Sequence, residues 1–314
     1  MKQILAFFKL IRTLNLLFIA ITQYLFQYFI VIPLFEPYGL SLPLGGKYFW
    51  LLVLSSVLIA AAGYIINDYF DLNIDRVNKP DKLVVEKYIR RRLAIIWHLV
   101  LSFAGILIGF YIGWKINVFW IGLANTVCVL ALWFYSTTFK KKLLTGNILI
   151  SLLTAWVVLV VGFIHHYRII ATMDVYHAVD RSKLLRFTFL YAGFAFIISL
   201  VREVVKDIED MEGDSRYGCR TMPILWGIMV SKVFSGTWLV VLLAIVLIVS
   251  MYMLQLTWWI PFFYSLVMIF APLLIILKKL KEASKPVQFH KVSTYIKLVM
   301  FTGILSMAII GLHH

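Results

Sequence analysis

The sequence predicts an all-α, polytopic membrane protein, and three observations carry that expectation. Of its 314 residues, 62% are hydrophobic and 14% are charged, with a mean hydropathy of +0.91; a soluble domain carries about 25% charged residues. The apolar residues gather into windows of about 20 residues, the length at which a helix crosses a bilayer. Within those windows polar and apolar residues do not alternate, so they are not the strands of a membrane barrel.

The windows fall at 14–34, 48–67, 93–113, 117–136, 147–165, 185–203, 230–253, 257–277 and 292–312, which predicts nine transmembrane helices around a central cavity. The first reads as a membrane helix and not a cleaved leader, because it is long and lacks a small-residue cleavage site. Trp50, Trp114, Trp120, Trp258 and Trp259 flank windows, where amphipathic rings anchor at the interface. No linker or low-complexity stretch divides the chain, so residues 1–314 read as one domain.

The net charge is +15, but the basic residues sit in short loops between apolar windows. That placement fits positive-inside topology and contact with anionic membrane lipid, and argues against nucleic acid as a partner. With the N-terminus in the cytoplasm, 23 Lys and Arg fall inside and 6 outside, Lys297 lying within the last window. The expected location is the plasma (inner) membrane, with the C-terminus outside and the cavity opening near the cytoplasmic face. Cys128 and Cys219 have no metal-ligand spacing.

The chemistry concentrates in two acidic stretches. Asn67, Asp68, Asp71 and Asp75 close the second window and fall within an arc of about 100° on a helix. Asp207, Asp210 and Asp214 repeat the carboxylate spacing 139 positions later, so the chain reads as two pseudo-repeats carrying clusters at 67–75 and 207–214. Carboxylates stacked on one face repel unless a cation shares them, and oxygen-only ligands suit Mg²⁺ completed by phosphate oxygens. Basic residues follow both clusters: Arg76, Lys79 and Lys82, then Arg216 and Arg220. Helices two and six, both even-numbered, end at the same membrane face, so both clusters reach it and point to a diphosphate held by divalent ions.

Asn67-Asp68-x-x-Asp71-x-x-x-Asp75 followed by Asn78-x-Pro80 resembles the first signature of the UbiA-type intramembrane prenyltransferases, and Asp207, Asp210 and Asp214 match the second. The resemblance spans the chain. It implies that Asn67, Asp68, Asp71, Asp75, Asp207, Asp210 and Asp214 hold Mg²⁺ and a prenyl diphosphate. Tyr135, Lys140 and Lys141 are similar to the family's diphosphate-contacting loop, and Lys82 and Arg76 join the expected diphosphate contacts. Arg202 and Lys206 lie on the acidic face of helix six, and with Asp71 and Asp210 form the expected catalytic set; Glu203 is a candidate base. Residues 202–214 most resemble the digeranylgeranylglyceryl-phosphate synthase branch, which implies transfer of a geranylgeranyl group to a lipid acceptor such as geranylgeranylglyceryl phosphate. Transfer to an aromatic acceptor of the 4-hydroxybenzoate or dihydroxynaphthoate type is the alternative within the family. A cation-coupled transporter is the alternative outside it. His98 reads as a satisfied buried histidine, and His165 and His166 as loop histidines on the outer side.

Overall fold

The computed structural model describes residues 2–78 and 83–313. Among these residues nine helices are long and apolar enough to span a membrane. A short amphipathic helix, α1 (Lys2–Leu10), precedes the first span, α2 (Thr13–Tyr38), which carries a π-helical turn at Phe26–Val31. The remaining spans are α3 (Gly46–Phe70), α5 (Arg91–Lys115), α6 (Trp120–Thr137), α7 (Thr145–Ala171), α8 (Arg181–Glu209), α10 (Met222–Gln255), α11 (Trp259–Glu282) and α12 (Pro286–Gly311). Two short helices complete the set: α4 (Leu72–Asn78) after α3, and α9 (Met211–Arg216) after α8.

Every predicted window overlaps one of these spans, and every helix but α6, which has 18 residues, runs longer than its window. The largest difference is α10, which starts at Met222 where the sequence predicts 230. Its first turns are joined through Gly227 at φ 82°, a conformation open to glycine and strained for other residues, so the apolar window opens only beyond the break. His165 and His166 are not loop residues: both lie in α7. His165 is fully buried, with Nε2 2.9 Å from Gln27 Oε1, because this end of α7 is packed against α2 and not exposed. His98 is buried with Nδ1 3.0 Å from the Ala62 carbonyl, as the sequence predicts.

Helix pairs are pinned by small residues and buried amides, as expected where lipid removes any hydrophobic drive for helices to associate. Asn125 of α6 donates to Ser55 Oγ (2.7 Å) on α3 and to the Gly105 carbonyl (3.1 Å) on α5, locking three spans at one point.

The acidic stretches fold alike. The expected single helix face is bent instead: α3 ends at Phe70, Asp71 stands at the junction (φ −83°, ψ −3°), and α4 follows. In the second, α8 ends at Glu209, Asp210 stands at the junction (φ −93°, ψ 4°), and α9 follows. Helical bonding continues through both bends, from Asp75 N to the Asp71 carbonyl (2.8 Å) and from Asp214 N to the Asp210 carbonyl (3.2 Å). Each bend turns its last carboxylate back toward the partner stretch, and α4 packs on α9.

Candidate functional site

A cavity of about 600 Å³ lies between α2, α3, α6, α7, α8 and α12, with α4 and α9 at its lip. Its upper part carries the acidic residues. Its lower part is lined by Ile59, Cys128, Leu132, Leu153, Trp156 and Val160. On α7 the polar-to-apolar distance from Asn147 to Val160 is about 20 Å of helix.

In the first stretch the carboxylates already have cationic neighbours. Lys140, on the 3₁₀ turn Phe139–Lys141 after α6, ion-pairs with Asp71 through Nζ and Oδ2. Asn67 Nδ2 donates to the same Asp71 oxygen at 2.7 Å. Burial works against the charge on Lys140, and the Asp71 carboxylate overrides it, holding the ammonium well above the usual lysine range. Arg12 Nη2 donates to Asp68 Oδ1 at 2.6 Å and lies 5.0 Å over the Tyr64 ring. Here too burial opposes the charge and Asp68 overrides it, so the guanidinium stays protonated. Arg12 sits at φ 53° between α1 and α2, a left-handed conformation that costs a non-glycine residue about 1 kcal/mol.

The second stretch is held differently. Asn147 Nδ2 donates to Asp207 Oδ2 at 2.8 Å, a neutral donor where the first stretch uses cations. Glu203 gathers the nearby cations, accepting from Arg202 Nη1 (2.9 Å) and from Lys206 Nζ (3.3 Å). Asp210 and Asp214 line the cavity, and Asp214 is buried. Cys219 lies behind Asp214; burial first, then that carboxylate, push its thiol up to about 11.

One side chain ties the two stretches together. Asn78, the last residue of α4, donates through Nδ2 to the Asp210 carbonyl (3.0 Å) and accepts through Oδ1 from the Gly213 amide (2.8 Å). The approach needs glycine: a Cβ on residue 213 would stand 2.4 Å from Asn78 Oδ1. The Asp71 and Asp210 bends are thereby clamped at the lip of one cavity.

The cavity brings together Asn67, Asp68, Asp71, Asp75, Tyr135, Lys140, Arg202, Glu203, Lys206, Asp207, Asp210 and Asp214 of the expected set. Two expected diphosphate contacts stand elsewhere. Arg76 turns away to pair with Glu86 at 2.5 Å, because it lies on the outer side of α4. Lys141 is exposed, and its carbonyl accepts from the Arg220 amide (2.8 Å), so consecutive lysines face opposite ways from the 3₁₀ turn. Lys82 lies outside the described residues. Sequence reading missed Arg12, Asn147 and Lys297 as site residues, the last visible as a charge inside a span, and gave Asn78 only as part of a motif.

The donor set fits divalent cations. Among the described residues eight carboxylates and six Lys or Arg side chains line the cavity, so a polyanion entering alone meets net negative charge. Asn67 Oδ1 is buried without a hydrogen-bond partner, an acceptor oxygen left open beside Asp71. Among the described residues no three His, Cys, Asp or Glu side chains converge as a self-sufficient metal site. Mg²⁺ takes one or two carboxylates and draws the rest of its shell from water and substrate phosphate.

Fold and site together define an integral-membrane helical protein with an acidic, cation-fitted lip above an apolar chamber. The model of the UbiA prenyltransferase family matches residues 16–302, and the chain belongs to that family. Among relatives, it is 28% identical to digeranylgeranylglyceryl phosphate synthase of Methanosphaera stadtmanae over 275 residues, covering 84% of this chain and 89% of that one. It is 33% identical over 199 residues to the synthase of the same name from Methanothermobacter thermautotrophicus, covering 62% and 63%. A solved structure described as digeranylgeranylglyceryl phosphate synthase in membranes superposes with a TM-score of 0.67 at 22% identity, covering all of both chains. A UbiA homologue from Archaeoglobus fulgidus, bound to DMAPP and Mg²⁺, superposes at 0.55 with 14% identity, covering 96% of this chain and 99% of that one. These two likenesses establish the shared fold.

Proposed function

We propose that this protein transfers a geranylgeranyl group from its diphosphate to the glycerol hydroxyl of a lipid acceptor, geranylgeranylglyceryl phosphate, releasing diphosphate. The observation that carries the reading is the Asn78 clamp, which fixes two aspartate bends over one apolar chamber. The acceptor assignment is supported by the synthases to which the chain is similar.

Asn67, Asp68, Asp71 and Asp75 on one side, and Asp207, Asp210 and Asp214 on the other, are the residues that would hold Mg²⁺. Bound there, Mg²⁺ neutralises the diphosphate and makes it a better leaving group. Lys140 and Tyr135 stand where they can reach diphosphate oxygens, and Lys206 adds positive charge from the opposite wall. The bond between the allylic carbon and the diphosphate oxygen breaks, and the charge left on carbon is delocalised over the allyl group. The acceptor oxygen closes the new carbon–oxygen bond, and its proton leaves to solvent at the lip or to the released diphosphate. The apolar wall from Ile59 to Val160 holds the tail and keeps water from the cation. In this reading Glu203 anchors Arg202 and Lys206.

We read the chain as one catalytic unit of two related halves, a reading supported by the matching bends at Asp71 and Asp210. The protein is an integral membrane protein. The charge distribution supports placing the acidic lip, with the N-terminus, on the cytoplasmic side of the plasma (inner) membrane.

Purified protein supplied with labelled geranylgeranyl diphosphate and Mg²⁺ should alkylate geranylgeranylglyceryl phosphate in preference to 4-hydroxybenzoate or dihydroxynaphthoate. Transfer only to the aromatic acids would replace the acceptor assignment. Substrate uptake into proteoliposomes with no diphosphate release would replace the reaction itself.

A further inference from the structure

α12 contributes a single stripe to the cavity: His290, Ser293, Lys297 and Met300. Lys297 is the twelfth residue of this 26-residue helix, about 16 Å from its start and therefore near mid-membrane. An ammonium at that depth is costly unless something charged or strongly polar receives it. Its contacts are weak compensation: Nζ donates to Asn15 Oδ1 at 2.9 Å and lies 5.5 Å from the Phe18 ring centroid. Among the described residues it has no carboxylate partner within 4.0 Å. Arg12 and Arg202, both cations, are among the charges that bear on it.

Arg12 already pairs with Asp68, and Arg202 shares Glu203 with Lys206, so Lys297 is the surplus charge. Arg202 is itself incompletely used: its Nε is buried without a hydrogen-bond partner. Two donors on adjacent helices therefore wait on the wall formed by α8 and α12, which is separate from Lys140 and its acidic neighbours on α3.

We propose that Lys297 and Arg202, with Asn15 beside them, form an anion subsite for the phosphomonoester headgroup of the lipid acceptor. This deepens the reading of the reaction given above and rests on it for the acceptor's identity. The donor diphosphate belongs at the aspartate bends, where divalent ions are needed because carboxylates outnumber cations. A phosphomonoester needs no metal at Lys297, since the local excess is already positive. Seating the acceptor headgroup here would let a lipid enter with its chain in the apolar chamber and its hydroxyl toward the bends.

The test compares equilibrium binding of geranylgeranylglyceryl phosphate and of uncharged geranylgeranylglycerol to the full chain in nanodiscs, without donor. Wild-type protein should prefer the phosphorylated lipid by about tenfold or more, the scale of one charge-assisted contact. Lys297→Gln should remove most of that preference, Arg202→Gln part of it, and Lys297→Arg should keep it. The KM for geranylgeranyl diphosphate should move less than about twofold in Lys297→Gln. A preference that survives in Lys297→Gln, its absence in wild type, or a donor KM that rises instead would overturn the subsite. Wild-type protein that prefers the phosphorylated lipid yet never alkylates it would leave the subsite standing and overturn the reaction.

Discussion

The two aspartate stretches share spacing and backbone bend but differ in what neutralises them. In the first, Asp68 and Asp71 are met by Arg12 and Lys140, both carried by other segments. In the second, Asp207 is met by the amide of Asn147, and the adjacent cations Arg202 and Lys206 are drawn to Glu203. A fixed cation beside a buried carboxylate lets that wall exist without metal, whereas an amide supplies direction without charge. The comparison assigns a structural share of the charge balance to the first stretch. At Asp207 the balance depends more on what binds.

Six substitutions sharpen or break that contrast. The largest effect belongs to the carboxylates at the bends: Asp71→Ala or Asp210→Ala should lower prenyl transfer by about 10³-fold or more, the scale of losing charge stabilisation at a leaving group. Either variant retaining near-normal turnover would refute the assignment of both stretches to one diphosphate.

Next come the partners. Lys140→Met leaves Asp71 buried without its cation, a loss of about 3 kcal/mol for a well-buried pair. The variant should unfold at lower temperature in detergent, and added Mg²⁺ should recover more of the loss than it does for wild type. Asn147→Ala removes one hydrogen bond from Asp207 and should cost about 1 kcal/mol. Equal losses in the two variants would erase the distinction between the stretches.

Smaller still is the clamp. Asn78→Ala unties the Asp210 carbonyl and the Gly213 amide while leaving every ligand in place, so kcat should fall about tenfold with the fold retained. Gly213→Ala should mimic it, because the added methyl displaces Asn78. Loss of stability without loss of turnover would make the clamp merely architectural.

A final expectation concerns pH. A thiol held at about 11 stays protonated at pH 9, whereas an unfolded cysteine near 8.5 is mostly thiolate there. In a Cys128→Ser background, alkylation of Cys219 at pH 9 should therefore be more than about tenfold slower in the folded protein than after denaturation. Equal rates would place Cys219 outside the shelter of Asp214.

Much of this was legible in the sequence, for physical reasons that differ by residue. Hydropathy marks a span because a bilayer demands it, so all nine windows emerged, while α10 was read short where Gly227 breaks its first turns. The aspartates were legible because two like-charged ladders 139 residues apart have no place in a greasy chain without a shared cation. Their partners were not. Arg12 and Asn147 reach the site only through tertiary approach, 56 and 60 residues from the carboxylates they meet. Lys140 and Lys141 are neighbours in sequence with opposite destinations, which only the 3₁₀ turn decides. Asn78 looked like part of a motif, but its function as a bridge required seeing Gly213 beneath it.

The most direct test of the central claim is a structure of the protein with Mg²⁺ and a non-ionising thiolo analogue of geranylgeranyl diphosphate. One diphosphate should be linked through metal to both Asp71 and Asp210, with its tail running past Leu132 toward Val160. A diphosphate bound to one stretch alone, with the other turned away from it, would contradict the account.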